Sequence, residues 1–247
     1  MASTLALAAA PTHADPDAFH SSDPVRRGPH ARHHVHRSPS SSTVRRGPAR
    51  RHACAVRGRA AQLQEIVGPV VLVGHSYGGA VITNAARGNP AVKALVFIAG
   101  FVPDAGESLV QLDTQMPGSL VAPALVTVPF VGPGLTVGID TYINPLLYPS
   151  VLAADVPLAT AQDMSRTQHP ITLAALTDRS GVPASRTIPS WYLVARQDRA
   201  LPPAMERFMA ERANAHTTEI DSSHAAPVSH PDAVSTLIRE AAQASSG

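Results

Sequence analysis

The stretch GHSYG at positions 74–78 fits the pattern G-x-S-x-G, with Ser76 at its centre. Apolar residues precede it, and an apolar stretch of helical length follows it as far as Gly88. A strand, a sharp turn and a helix in this order are typical of a nucleophile elbow, whose strained turn exposes a serine hydroxyl. Glycines suit such a turn because the strand and the helix approach each other closely. We therefore predict that Ser76 is a nucleophile.

A serine nucleophile needs a base, and the base needs an acid that orients it. Two polar turns downstream carry these residue types: Asp198 follows the apolar segment 188–195, and His224 follows the short segment 215–220. Both segments are predicted as late strands. Asp198 and His224 should then lie at the sheet edge that also carries Ser76, because ligands bind at the carboxyl ends of strands in open α/β sheets.

Other residues compete for each role. His230 is the alternative base, whereas His75 lies inside the elbow and is predicted to be a packing residue. Asp104 is the alternative acid, because it follows the predicted strand 94–99 and some hydrolases place the acid nearer the middle of the chain. Glu107 is predicted as an exposed loop carboxylate. The interpretation with Asp198 and His224 is preferred, and both alternatives stay open.

Four stretches carry a resemblance to a known family: GHSYGG at 74–79, VKALVFIAGFVPDAGESL at 92–109, SWYLVARQDRALPP at 190–203 and the Ser-His pair at 223–224. From about Gln62 to Ala242 the chain resembles a small, cofactor-free α/β-hydrolase related to esterases, plant methylesterases and hydroxynitrile lyases. The resemblance implies an α/β fold with a mostly parallel sheet flanked by helices. It further implies Ser76 as nucleophile, Asp198 as acid and His224 as base, with no cofactor and no metal.

The resemblance also implies a cap, inserted at about residues 104–187. Nine apolar residues are predicted to line the pocket beneath it: Leu120, Val121, Leu125, Val128, Phe130, Leu135, Ile143, Leu146 and Leu147. An apolar pocket favours a neutral, hydrophobic carboxylic ester as the small-molecule substrate. The expected reaction is therefore ester hydrolysis through an acyl-enzyme.

Other cofactor-free chemistry on the same triad, of perhydrolase or lyase type, is an alternative. Hydroxynitrile lyase chemistry is disfavoured, because the lysine that follows the catalytic histidine in those enzymes is replaced here by Ala225. Lys93 is the chain's one lysine.

The oxyanion hole is the least complete part of the predicted site. One donor should be the backbone N–H of Tyr77, the residue after the nucleophile. The second donor usually comes from a loop after an early strand, but the first sixty residues contain no His-Gly pair and no recognisable apolar strand. The second donor is therefore unknown. A further alternative is a non-catalytic or impaired remnant of the fold.

Residues 1–60 differ sharply in composition from the rest of the chain. They hold 10 arginines against 3 acidic residues, a balance of +7, whereas residues 61–247 hold 10 basic against 15 acidic residues, a balance of −5. A segment rich in Arg, Pro, His and Ser cannot bury enough apolar surface to fold, so we predict disorder over 1–60. Three interpretations stay open: a basic interaction arm, a targeting segment, or out-of-frame sequence that replaces the N-terminal strands of the fold.

Residues 61–247 suffice for one catalytic domain. No apolar run reaches about 18 residues, so no membrane span is expected. Cys54 is the one cysteine, and no phosphate-binding or dinucleotide motif is present. We expect a cytoplasmic location and no specific nucleic-acid partner, and the sequence leaves the oligomeric state open.

Overall fold

The computed structural model describes residues 5–9, 51–132 and 135–245 of the 247-residue chain, all within one compact unit. In these residues the strands are β1 (Leu5–Ala9), β2 (Val70–His75), β3 (Val92–Ile98), β4 (Leu125–Gly132), β5 (Thr136–Ile143), β6 (Ile171–Thr172), β7 (Ser190–Ala195) and β8 (His216–Ile220). The helices are α1 (Arg51–Gln64), α2 (Tyr77–Ala85), α3 (Leu109–Gln115), α4 (Val121–Ala124), α5 (Tyr148–Leu152), α6 (Leu158–Arg166), α7 (Leu173–Thr177), α8 (Pro203–Arg212), α9 (Ala226–Ser229) and α10 (Pro231–Ala244). None of the described helices is both long enough and apolar enough to cross a membrane.

The main sheet has the strand order β1-β2-β3-β7-β8. Strands β2, β3, β7 and β8 are parallel, and β1 pairs antiparallel with β2 at one edge. The central strands are apolar along almost their whole length because helices cover both faces of the sheet. The predicted α/β fold with a mostly parallel, helix-flanked sheet is confirmed.

Alternate residues of β2 belong to two separate cores. Val70 and Leu72 pack in the core that includes residues of α2 and α8, whereas Val71 and Val73 pack with α10. This alternation follows from the two-residue period of a strand. Full burial of a Val or Leu side chain stabilises a fold by about 1.5–3 kcal/mol. The two cores therefore fix the ends of β2 and β7, where the candidate site lies.

The segment between β3 and β7, called the cap segment below (residues 104–187), contains α3–α7 and a second sheet of order β4-β5-β6. The two late helices of the cap segment are α6 and α7, and β6 directly precedes α7. The β4–β5 hairpin was not expected, because Pro129 inside β4 interrupts a strand pattern. The proline is tolerated because β4 is an edge strand of its sheet.

Two described stretches lie within or extend into residues 1–60, the segment predicted to be disordered. Leu5–Ala9 forms β1, with Leu5 opposite Gly74 and Ala9 opposite Val70. This run of Leu and Ala can pair its main chain with the free edge of β2. Helix α1 begins at Arg51, in a stretch whose alanines favour helix, and it runs across the predicted boundary at residue 60. The remainder of the predicted segment lies outside the described residues.

Candidate active site

Ser76 occupies the turn between β2 and α2. Its backbone has φ 55° and ψ −125°, a conformation that side-chain-bearing residues rarely adopt. The turn is held in place because the Ser76 N–H donates to the carbonyl of Ile98 at 3.2 Å, and the Ser76 carbonyl accepts from the N–H of Phe101 at 3.0 Å. The strained turn predicted from the G-x-S-x-G pattern is therefore present, braced by the chain that follows β3.

The glycines of the elbow have unequal roles. A Cβ on Gly74 would lie 2.6 Å from the backbone of Gly78, and a Cβ on Gly79 would lie 2.5 Å from the carbonyl oxygen of Phe101. A Cβ on Gly78 would meet no atom within 4 Å. Gly78, the last glycine of the G-x-S-x-G pattern, is therefore not needed to avoid a clash. Gly79, outside the pattern, is the residue that allows α2 to approach the chain after β3.

Asp198 and His224 meet although they lie on different turns. The turn after β7 is tied to the turn after β8 by the Gln197 N–H, which donates to the carbonyl of Ser222 at 3.0 Å. Nδ1 of His224 then lies 2.6 Å from Oδ2 of Asp198, and both side chains are buried. Oδ1 of Asp198 accepts the backbone N–H groups of residues 200 and 201, at 2.6 and 2.9 Å. The carboxylate is thus fixed before it meets the imidazole.

The second nitrogen of the His224 ring is available for chemistry. Its Nε2 is buried and has no hydrogen-bond partner among the residues that the structure describes. His224 and Ser76 both line the same cavity. The ring is also supported from β2, because Nε2 of His75 donates to the carbonyl of His224 at 2.8 Å and the two rings lie 4.8 Å apart. An unpartnered nitrogen held in this way can accept a proton from a nearby hydroxyl.

The alternative residues have other partners. Asp104 forms an ion pair with Arg186 at 2.7 Å, and Glu107 pairs with Arg212 at 2.7 Å. Nδ1 of His230 lies 2.9 Å from the hydroxyl of Ser229. Glu107, predicted as an exposed loop carboxylate, is instead partly buried in its ion pair. None of the three residues lines the cavity that the described residues enclose. The structure brings together Ser76, Asp198 and His224, and it leaves Asp104, Glu107 and His230 outside this group.

A carboxylate of the cap segment holds the His224 turn. Asp155 accepts the backbone N–H of Ser223 at 3.0 Å and its hydroxyl at 2.5 Å. Burial acts to raise the pKa of Asp155, but hydrogen bonds, chiefly from Ser223, outweigh it and hold the pKa below its ordinary value. Sequence analysis missed Asp155 because no motif links it to the residue beside His224. Only the fold brings the cap segment to this turn.

The cavity beside Ser76 has a volume of about 190 Å³. Its wall is mostly apolar, and the cap segment contributes Leu109, Val121, Leu125, Ile171 and Leu176 among others. Of the nine residues predicted to line it, only Val121 and Leu125 do so. Val128, Leu135 and Leu146 are exposed instead, because the hairpin and the loop after it turn their side chains outward. The polar Asp113 also lines the cavity, and burial raises the pKa of its carboxyl.

Tyr77 is the first residue of α2, so its backbone N–H lies at the amino end of a helix. Such N–H groups point away from the helix and favour a negative charge nearby. No second donor can be assigned from the described residues. The usual source of such a donor is a loop after an early strand. Strand β1 ends at Ala9 beside Val70, the first residue of β2, whereas Ser76 follows the last residue of β2.

The described residues contain no group of three or more His, Cys, Asp or Glu side chains that could hold a metal ion.

The model of the alpha/beta hydrolase family matches residues 7–237. The alpha/beta hydrolase nvfD of Aspergillus novofumigatus (strain IBT 16806) is 29% identical over 205 residues, which cover 76% of this chain and 76% of that protein. The carbendazim hydrolyzing esterase of Nocardioides sp. (strain SG-4G) is 47% identical over 64 residues, 26% of this chain and 24% of that protein.

Solved structures show the same fold. The structure of polyneuridine aldehyde esterase superposes with a TM-score of 0.64 at 17% identity, over 76% of this chain and 78% of that one. The pyrethroid hydrolase PytH superposes with a TM-score of 0.59 at 24% identity, over 77% of each chain.

Proposed function

The chain belongs to the alpha/beta hydrolase family, and from that premise we propose that it hydrolyses a carboxylic ester through Ser76, His224 and Asp198. The observation that carries the proposal is the position of His224. Its Nδ1 lies 2.6 Å from Asp198, while its unpartnered Nε2 belongs to a side chain that lines the same cavity as Ser76. A serine nucleophile requires a histidine that is oriented by an acid at one ring nitrogen and accepts the serine proton at the other.

In the proposed reaction Nε2 of His224 takes the proton of the Ser76 hydroxyl as Oγ attacks the ester carbonyl. The tetrahedral intermediate collapses, the bond to the alcohol breaks, and His224 returns its proton to the leaving alcohol. Water then attacks the acyl-Ser76 ester, gives a proton to His224 and releases the acid as the proton returns to Ser76. Asp198 holds Nδ1–H throughout and stabilises the imidazolium that forms twice in the cycle.

The backbone N–H of Tyr77 is the proposed first donor to the oxyanion. Its place at the start of α2 supports this role, because the helix end favours a developing negative charge. With one donor assigned, an impaired member of the family is the second candidate function, and the rate of turnover decides between the two.

The substrate class follows from the cavity wall. Apolar side chains of the cap segment surround the serine, and a volume of about 190 Å³ accommodates a small acyl or alcohol group. We therefore propose a neutral, hydrophobic ester of short to medium length. The relatives' names support ester-type substrates in general, since they include an esterase and a pyrethroid hydrolase.

A fluorophosphonate probe and a series of p-nitrophenyl esters test the proposal. We expect the wild-type protein to be labelled, and Ser76→Ala to abolish both labelling and turnover. Ser165→Ala is the matched control, because Ser165 is also a buried serine but lies on α6 and does not line the cavity. Labelling that survives Ser76→Ala, or that is lost in Ser165→Ala, would overturn the assignment.

A further inference from the structure

Helix α8 carries a buried carboxyl group that the proposed reaction does not use. Glu206 has no solvent exposure, and its Oε2 accepts the backbone N–H of Ala195 at 3.0 Å. Its Oε1 is also buried, and no donor reaches it from the part of the chain that the structure describes. Ala195 links Glu206 to Asp198, because its N–H donates to Glu206 and its carbonyl accepts the N–H of Asp198 at 3.1 Å. The Asp198 side chain is near enough to act on the pKa of Glu206. Two buried acidic groups therefore lie close together, and one of them, Asp198, contacts the His224 ring.

Two ionised carboxylates in contact offer each other only acceptors and repel strongly when water is excluded. A single proton removes the repulsion and turns the contact into a hydrogen bond, as in other buried pairs of carboxyl groups. The proton also gives the unpartnered oxygen of Glu206 a hydrogen bond, and a buried polar atom without a partner is destabilising.

The hydrogen bonds around the pair decide which group holds the proton. Asp198 accepts the backbone N–H groups of residues 200 and 201 and also faces the imidazole of His224, so its charged form has three donors. Glu206 accepts one N–H, that of Ala195. Donors stabilise the charged form of a carboxyl group. The negative charge therefore belongs to Asp198 and the proton to Glu206.

Among the other charged groups near Glu206, Arg207 acts to lower its pKa but does not offset the effect of burial. The Tyr192 hydroxyl on β7 donates to the carbonyl of Gly100 at 2.6 Å instead. Arg207, the next residue of α8, extends to the surface and forms two hydrogen bonds of 2.7 Å with Glu219. Burial, and after it the charge of Asp198, raises the pKa of Glu206 well above its ordinary value.

We propose that Glu206 is a positioning residue: it carries a proton, donates it in a hydrogen bond to Asp198, and so holds that carboxylate against His224. Its second oxygen stays on the N–H of Ala195, which anchors α8 to the end of β7. The positioning role rests on the proposed function, because it assumes that Asp198 orients the catalytic imidazole. The protonation of Glu206 does not depend on it.

Thermal unfolding between pH 5 and 8 tests the protonation without any need for turnover. In the unfolded chain Glu206 loses its proton above its ordinary pKa of about 4.3, whereas the folded protein retains it. The wild type therefore binds more protons when folded, and its stability from this group falls as pH rises towards the folded pKa. Glu206→Gln is neutral at every pH and keeps one donor and one acceptor, so it escapes this loss.

The melting temperature of Glu206→Gln minus that of the wild type should increase by roughly 3–5 °C per pH unit. Glu211→Gln is the matched control, because Glu211 lies on the same helix but is exposed; its difference from the wild type should stay flat. A flat difference for Glu206→Gln would mean that Glu206 ionises as in the unfolded chain, and it would overturn the proposal.

Proton NMR tests the positioning role independently of activity. The Nδ1–H of His224, bonded to a buried carboxylate, should give a strongly downfield resonance that Glu206→Gln preserves and Glu206→Leu shifts or removes. In parallel, kcat should stay within about threefold of the wild type for the Gln variant and fall at least about tenfold for the Leu variant, with KM little changed. An unchanged resonance in a folded Glu206→Leu would overturn the positioning role. If the resonances of both variants behave as expected but the wild type has no esterase activity, only the proposed function is contradicted.

Discussion

Nδ1 of His224 lies 2.6 Å from Oδ2 of Asp198, and the other oxygen of that carboxylate is already held by two backbone N–H groups. The carboxylate therefore cannot rotate to follow the ring, and the ring must keep Nδ1–H pointed at it. In the neutral ring the proton is then on Nδ1 and Nε2 can accept one, as the proposed general base requires. The tautomer of His224 is set by the turn after β7.

Asp198→Asn should reverse that tautomer. The amide would present a donor where Nδ1–H now donates, so Nε2 would take the proton and lose its basicity. We expect kcat for a p-nitrophenyl ester to fall by about 10³–10⁴ with the fold retained. Asp104→Asn is the control, because Asp104 pairs with Arg186 and should leave kcat near the wild-type value. Greater damage from the control would make Asp104 the acid.

Replacement of two histidines distinguishes the proposed base from its alternative. His224→Ala should remove most turnover, since no other imidazole of the described residues lines the cavity. His230→Ala should leave kcat within about threefold, because Nδ1 of His230 contacts the hydroxyl of Ser229 at 2.9 Å. A larger loss of kcat in His230→Ala than in His224→Ala would mean that His230 is the base.

The strands that carry the candidate site could be predicted from the sequence. The segments before Ser76, Asp198 and His224 were each predicted as strands, and β2, β7 and β8 occupy them. Parallel strands bring their carboxyl ends to one edge, so two apolar runs and the short segment 215–220 were enough to place these residues together. The local pattern is clear for β2 and β7 because these strands are buried on both faces, whereas β8 is polar and mostly exposed.

The supporting contacts could not be predicted. Asp155 reaches Ser223 from the cap segment, and Glu206 reaches Asp198 from α8, across separations that no local pattern encodes. The roles of the elbow glycines were also misassigned, because the clash at Gly79 involves the carbonyl of Phe101 and depends on how the chain turns after β3. Such features follow from tertiary packing.

The different surroundings of Gly78 and Gly79 predict different effects of alanine on the free energy of unfolding. Gly79→Ala should destabilise the protein by about 1–3 kcal/mol or more, because its Cβ would lie 2.5 Å from a backbone oxygen that cannot easily move. Gly78→Ala should be neutral or stabilise by up to about 1 kcal/mol, since its Cβ meets open space and alanine favours helix. Urea unfolding of both variants checks this. Equal changes in the free energy of unfolding would mean that the contact between Gly79 and Phe101 does not limit the position of α2.

The last prediction is that turnover is low for a member of this family. Tyr77 supplies one proposed oxyanion donor, and the described residues offer no second. Strand β1 is not followed by the usual donor loop. It runs antiparallel to β2, so the chain leaves it beside Val70, at the end of β2 that lies away from Ser76. Loss of one such donor costs on the order of 10²–10³ in turnover.

We therefore expect kcat/KM for p-nitrophenyl acetate to lie about 10²–10³ below that of a family member with a complete oxyanion hole, with Ser76 still labelled by the fluorophosphonate. Both proteins should be monodisperse, so that aggregation does not lower the apparent rate. Rates within about tenfold would contradict the prediction and place a second donor outside the described residues, in 1–4 or 10–50. Removal of residues 1–50 would then abolish the activity, because the donor would leave with them. If the rate is low as expected, the same truncation should change it little, since Ser76, Asp198 and His224 all lie downstream.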